Sequence, residues 1–155
     1  MNEFAKQEYA RWLQNCTGET LDELRAMDGN DALIEQRFGH RQTFGTAGIR
    51  SIMGAGIACL NDYTVRQAAR GLAAYLTETP GKKTCAIGYD CRRNSRRYAE
   101  ICAAALAEAG VHVYVYDRLC PTPMLSFAVR YLHCDAGIVI SASHNTKEYN
   151  GLKCY

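Results

Sequence analysis

The sequence predicts an α/β fold: a three-layer sandwich whose mixed, largely parallel sheet has helices on both faces, preceded by a helical N-terminal arm. Three observations carry this expectation. From about residue 84 onward, short apolar runs alternate with segments of helical period, the pattern that produces right-handed crossovers and parallel pairing. Ile138, Val139 and Ile140 are three consecutive β-branched residues, which suits a strand covered on both faces. Residues 1–40, by contrast, are polar-faced and follow helical spacing.

Taken in order, Phe4, Ala5, Tyr9, Trp12, Leu13 and Cys16 mark a first helix. Thr20-Leu21-Asp22-Glu23 reads as a capping box for a short second helix that stops near Gly29. A third short helix is expected from Asp31 to Arg37. This arm is expected to cover the domain or pack on a neighbour, and it carries no recognisable chemistry; His40 is a lone histidine with no expected ligand role. Residues 43–60 hold four glycines that suit turns or close backbone approach, in a spacing that matches neither the P-loop nor the dinucleotide fingerprint. Val65, Ala68, Ala69, Leu72 and Leu76 fall on one face of a helix over 63–77, capped by Asn61 or Asp62. Thr84 to Tyr89 is the next strand. Ser95 is expected to cap a helix whose buried stripe is Tyr98, Ile101, Cys102, Ala105, Leu106 and Ala109, with Gly110 as the stop. Val111 to Tyr116 is a further strand. Thr122 and Pro123 then open a helix in which Met124, Phe127, Ala128, Tyr131 and Leu132 are expected to be core. Residues 135–140 form the buried strand, and Leu152 to Tyr155 begin another.

Composition narrows the function classes. The chain has 155 residues, enough for one domain with a real core. Lys and Arg number 18 against 16 Asp and Glu, a net charge of +2. That balance argues against nucleic acid or a membrane surface as partner. No apolar run approaches the roughly 20 residues of a membrane helix, and the N-terminus lacks a signal-peptide pattern. Eight cysteines occur without a Cys-x-x-Cys pair, several inside apolar periodic segments. Reduced, buried thiols in a cytoplasm are therefore expected. Arg92, Arg93, Arg96 and Arg97 cluster near a helix start, where cations oppose the macrodipole; the expected reading is a solvated face with an Asp90–Arg92 pair bracing the loop.

The stretch from Gly137 to Lys153 carries the chemistry. A buried strand ends and a polar loop follows, in the position beyond a carboxyl strand end where ligands of open α/β sheets sit. Ser143 lies there, with His144, Lys147 and Lys153 within ten residues of it. A serine hydroxyl needs a neighbouring base or electrostatic help to act as a nucleophile. A phosphate ester on Ser143 would carry about −1.5 to −2 charges, to be held by cations and loop amides.

Ser-Ala-Ser-His-Asn-Thr-Lys-Glu-Tyr-Asn-Gly-Leu-Lys, residues 141–153, closely resembles the phosphoserine loop of the α-D-phosphohexomutases, the phosphoglucomutase and phosphomannomutase family. Most members have proline at the position of Thr146, a difference that frees φ and removes no chemical group. Phe44-Gly45-Thr46-Ala47-Gly48-Ile49-Arg50 is similar to the family's N-terminal signature, though many relatives have glycine where this chain has Ser51. Gly88-Tyr89-Asp90-Cys91-Arg92 resembles a third family segment.

The resemblance implies that residues 41–155 are the first of four α/β domains, with residues 1–40 as a leader. It also implies that the metal-binding loop, the sugar-recognition loop and the distal phosphate domain lie outside this chain. Ser143 would carry a phosphoryl group and exchange it with a sugar phosphate, interconverting the 1- and 6-phosphates of glucose or mannose through a bisphosphate. Thr46, Arg50, Ser143, His144 and Lys153 would face the substrate. Lys153 is the implied proton-transfer group, Arg50 would stabilise charge through its planar fork, and His144 would orient groups or assist. Mg²⁺ would bind the phosphate on Ser143 and take its other ligands from the second domain. The isolated chain is expected to be inactive. A phosphopentomutase-type member and a non-catalytic α/β module that binds phosphorylated ligands remain the alternatives.

Overall fold

The computed structural model describes residues 2–81 and 83–155. The described residues form six helices, α1 (Glu3–Asn15), α2 (Gly18–Ala26), α3 (Asp31–Phe38), α4 (Asp62–Thr77), α5 (Ser95–Glu108) and α6 (Thr122–Tyr131). Five strands, β1 (Gly48–Ile52), β2 (Thr84–Tyr89), β3 (His112–Val115), β4 (Ala136–Ile140) and β5 (Tyr149–Cys154), join one sheet in the order β1-β5-β4-β2-β3. The pairs β2–β3 and β2–β4 are parallel, while β4–β5 and β1–β5 are antiparallel. The sheet is thus mixed, with its parallel part confined to β4-β2-β3. The reason is the short connection after β4: eight residues, 141–148, cannot cross over the sheet, so β5 must return antiparallel. β1 is not legible in the glycine-rich segment, because Gly48 and Ser51 lack strand propensity and pairing with β5 imposes the conformation.

Residues alternate between the two sheet faces. Cys85, Ile87 and Tyr89 of β2, Ile138 and Ile140 of β4, and Leu152 of β5 pack against Val65, Ala69 and Ala73 of α4 and Tyr98, Cys102 and Leu106 of α5. Leu106, Ile87, Ile138 and Ile140 are wholly buried, each contributing about 1.5–3 kcal/mol. On the opposite face α6 alone is present, with Leu125 and Ala128 against Ala86, Val139 and Cys120. The close approach of α6 and of Cys120 just before it explains the small residues beneath them. A Cβ on Gly137 would lie 2.6 Å from Val129 Cγ2, and one on Gly88 would lie 2.8 Å from Cys120 Sγ.

Several local expectations are corrected. Met124, Phe127, Tyr131 and Leu132 of the expected stripe are exposed, with Phe127 stacked on Tyr131; Ala128 is buried as expected, and Leu125 joins it on the buried side of α6. An apolar spacing fixes a stripe but not what covers it. β3 is short, exposed and at the sheet edge. α6 starts one residue early, with Pro121 at the N-cap. Ser95 does not cap α5; Asn94, in the left-handed region at φ 65°, holds that position, and Ser95 Oγ donates to Asp90 instead. The Thr20–Glu23 box does not form, because α2 begins at Gly18 and Glu23 is used elsewhere: its carboxylate accepts from Ala55 N at 2.9 Å and pairs with Arg37. Phe4 is exposed rather than part of the α1 stripe.

The three N-terminal helices make their own core around Phe38, which meets Trp12 and Tyr9 edge-on, and this core closes over Ala55 and Ile57. Asn61 caps α4: its side-chain oxygen accepts from Tyr63 N and Thr64 N, while its amide donates to the carbonyls of Gly54 and Gly56. The cap therefore also ties down the loop on which the N-terminal helices rest. Asn61→Ala removes both roles and is expected to cost about 2 kcal/mol, a fall of several degrees in Tm by circular dichroism.

All eight cysteines are free thiols, and Cys91 is exposed while Cys85 and Cys102 are buried. Burial, helped by neighbouring thiols, pushes Cys85 up to about 12 and Cys102 further up, and burial raises Cys154 to about 11. A raised thiol pKa favours the protonated folded state, so this contribution is present below the ordinary thiol value and lost as pH rises through the folded one. Urea midpoints should hold near pH 8 and fall between pH 9 and 11; a flat profile over that interval would contradict the burial of these thiols.

Candidate active site

β4 is buried along its whole length and delivers the chain to one end of the sheet. Ser141 N still donates to Gly151 O at 3.0 Å, continuing the ladder by one step. The chain then turns sharply. Ser141 is buried, and its Oγ accepts from Ser143 N at 3.0 Å, while Asn145 N donates to Ala142 O at 3.2 Å. Between these bonds Ser143 sits at φ 58°, a left-handed conformation that costs a serine about 1–2 kcal/mol. The result is an exposed side chain at the tip of a braced turn, with Ser143 Oγ 3.4 Å from His144 Nδ1.

The rest of the loop is held from below. Arg92 Nη2 donates to the carbonyls of Ser143 at 2.9 Å and Asn145 at 2.6 Å. Its Nη1 donates to the carbonyls of Thr146 at 2.8 Å and Tyr149 at 3.1 Å. Asp90 pairs with Arg92 Nε at 3.5 Å, and its other oxygen accepts from Arg92 N and Ser95 Oγ. Asn150, fully buried, donates to Arg93 O and Ser95 Oγ. The Asp90–Arg92 brace expected from sequence is present, and what it braces is the serine loop. Two other cations of that group, Arg96 and Arg97, form ordinary surface pairs with Glu100 and Asp62.

Strand register places two more of the expected residues. Val139, Lys153 and Gly48 are successive cross-strand partners, as are Gly151 and Arg50. Lys153 and Arg50 therefore lie on one sheet face, diagonal to each other across β1–β5, at a separation where long side chains reach one another's surroundings. Arg50 Nη1 also donates to Asn145 Oδ1 at 2.9 Å, which links it to the loop. The structure thus gathers Ser143, His144 and Arg50, with Lys153 on the adjoining strand face. Thr46 is different. It is exposed in the turn before β1, beyond Gly48, at the strand end away from the serine loop. Sequence reasoning also passes over Asn150, Ser95 and Ser141, whose roles rest on partners far along the chain. Glu148, exposed, is held below the ordinary carboxyl value mainly by the Thr146 hydroxyl.

No cluster of three His, Cys, Asp or Glu side chains suited to a cation exists among the described residues, and four loop carbonyls are already engaged by Arg92. The described residues do not by themselves make a Mg²⁺ site. A cavity of about 880 Å³ lies elsewhere, lined by Trp12, Phe44, Tyr63 and Leu72 among others; none of its lining belongs to the serine loop. No helix among the described residues is long and apolar enough to cross a membrane.

Residues 41–155 match the family model described as phosphoglucomutase/phosphomannomutase, alpha/beta/alpha domain I. The chain belongs to the phosphoglucomutase/phosphomannomutase family. It is 46% identical over 147 residues to a phosphoglucomutase of Staphylococcus epidermidis and 43% identical over 155 residues to one of Staphylococcus aureus. Each match covers 92% of this chain but only 27% and 28% of the relative, so the chain spans about a quarter of their length. A crystal structure described as a putative phosphomannomutase, from Thermus thermophilus, superposes with a TM-score of 0.68 at 31% identity, covering 74% of this chain and 25% of that one. The likeness supports the α/β architecture.

Gly151 is closely enclosed by backbone on both sides. A Cβ there would lie 2.7 Å from Ser141 O and 2.8 Å from Ile49 O, both backbone atoms on flanking strands. Gly151→Ala should force β1 and β4 apart and cost about 1–3 kcal/mol, read as a lowered Tm together with increased amide exchange at Ser141.

Proposed function

We propose that Ser143 is a phosphoryl relay in a phosphohexomutase, that residues 41–155 are its first α/β domain, and that residues 1–40 are a helical arm laid on that domain. The observation that carries this reading is the presentation of Ser143. Its side chain is exposed at the tip of a turn held in a strained conformation, beyond the carboxyl end of β4, in a loop that Arg50 reaches through Asn145, with Lys153 on the same sheet face as Arg50. Strain of this kind persists where the surroundings over-determine it, as at functional sites.

In the proposed reaction a hydroxyl oxygen of a hexose 1- or 6-phosphate attacks the phosphorus on Ser143. The bond from phosphorus to Ser143 Oγ breaks, a sugar bisphosphate forms, and Oγ takes up a proton. The bisphosphate turns over and returns its other phosphoryl group to Oγ, which loses the proton again. Lys153 moves that proton, Arg50 bears on the phosphoryl charge, and His144 beside Oγ orients the hydroxyl. These steps use only the residues named. Any cation would depend on groups outside this chain, as would recognition of the sugar hydroxyls, so glucose, mannose and pentose phosphates all fit the same serine chemistry. The isolated chain is expected to be inactive.

A non-covalent phosphate-binding module is the other reading, favoured only by the cationic surroundings of the loop. Incubation of the natively expressed protein with a hexose 1,6-bisphosphate separates the two. A gain of about 80 Da on the peptide bearing Ser143, abolished together with mutase turnover in Ser143→Ala, is the expected result. Undiminished activity in that variant would refute the assignment.

A further inference from the structure

Arg92 differs from the other arginines of its turn. Its side chain is only 15% exposed, and all five guanidinium N–H groups are committed: four to the carbonyls of Ser143, Asn145, Thr146 and Tyr149, the fifth toward Asp90. Nothing is left to bind a phosphate. The arginine is also fixed from behind. Asp90 N donates to Ile140 O, the last residue of β4, and Asp90 accepts from Ser95, which in turn accepts from buried Asn150 at the start of β5. Arg92 therefore stands on the two strands that flank the loop, and it gathers the loop from beneath.

We propose that Arg92 is the positioning residue of the serine loop, setting where Ser143 Oγ stands by drawing four peptide carbonyls to one point. The inference rests on Ser143 being the reacting group. It has a consequence for the peptides themselves. No peptide bond among the described residues is cis, and in a trans peptide the N–H points opposite to the C=O. The carbonyls of Ser143, Asn145 and Thr146 turn toward Arg92, so the N–H groups of His144, Thr146 and Lys147 turn away from it. None of these three donates to another described residue. The guanidinium thus takes the negative ends of the loop dipoles and leaves their positive ends on the side away from it, open to an anion. Lysine cannot replace it, since an ammonium has three donors and no planar fork.

The test compares Arg92→Ala and Arg92→Lys with the natively expressed protein. In both variants amide exchange at Ser143, Asn145 and Tyr149, whose N–H groups are hydrogen-bonded, should rise about tenfold or more, while β2 and β4 stay protected. Turnover should fall on the order of a hundredfold with KM changed little, because misplacement of a reacting group by about 1 Å is enough for that. Added guanidinium ion at non-denaturing concentration should restore part of the activity of Arg92→Ala but not of Arg92→Lys. Unchanged exchange in the loop, wild-type turnover in Arg92→Lys, or equal loss of protection in the strands would each overturn the proposal. The exchange readout needs no turnover: a loosened loop in a protein without mutase activity would leave the clamp standing and sink the functional reading instead.

Discussion

One guanidinium holds the functional end of this molecule in shape. The loop of residues 141–148 has few apolar side chains to bury and no regular hydrogen-bond ladder. Left to its own preferences it would sample many conformations, at about 1–2 kcal/mol of backbone entropy for each residue that must be fixed. Arg92 offsets that cost by bonding four carbonyls at 2.6–3.1 Å. Hydrogen bonds to a charged donor contribute about 1.5–3 kcal/mol each when well placed, more than neutral ones. Removing the side chain would leave those carbonyls to compete for water while Ser143 is still asked to hold a left-handed backbone.

The clamp holds because its own support is buried and satisfied. Ser95 and Asn150 are wholly inaccessible to solvent, and a buried polar side chain without partners is destabilising by a few kcal/mol. Here each has partners: Ser95 with Asp90 and Asn150, Asn150 with Arg93, Ser95 and Gly151. No buried side-chain nitrogen or oxygen among the described residues lacks a partner. The network spans the β2–α5 turn and the start of β5, segments more than fifty positions apart. It fixes them relative to each other more tightly than apolar packing would, since polar partners tolerate little displacement.

How much of this can be read from the chain alone follows from the range of each interaction. Strands β2 and β4 and helices α4 and α5 are legible because their burial is periodic and local. Ile138 to Ile140 could scarcely be anything but a covered strand. Ser143 is legible through its motif, and so is the pair of Asp90 with Arg92, two residues apart. The four carbonyls that Arg92 grips are not, because backbone acceptors leave no mark in a sequence. β1 is hidden for a similar reason: its strand conformation comes from β5, not from its own residues. Two misreadings share one cause. Spacing alone makes Glu23 a local cap partner and Met124, Phe127 and Tyr131 core residues, yet it leaves open what those side chains meet. The family resemblance groups Thr46 with Arg50; along the chain the two lie on opposite sides of Gly48, and Arg50 is the one that reaches the loop.

The sheet's mixed character and the openness of the site have a common origin. After β4 the chain has eight residues to return, too few for a helix across the sheet, so β5 comes back antiparallel and no helix is laid down between them. The face occupied by α6 therefore loses its cover one strand beyond Val139, the partner of Lys153. β1 extends that bare region and adds Arg50 to it. Two cationic side chains consequently project from strands rather than from loops, on a surface that packing does not close, and one of them, Arg50, reaches the turn that polar contacts make rigid. Strands hold position better than loops do, and reacting groups need position more than they need number. A longer connection with its own helix would have given a fully parallel sheet and buried both charges' surroundings.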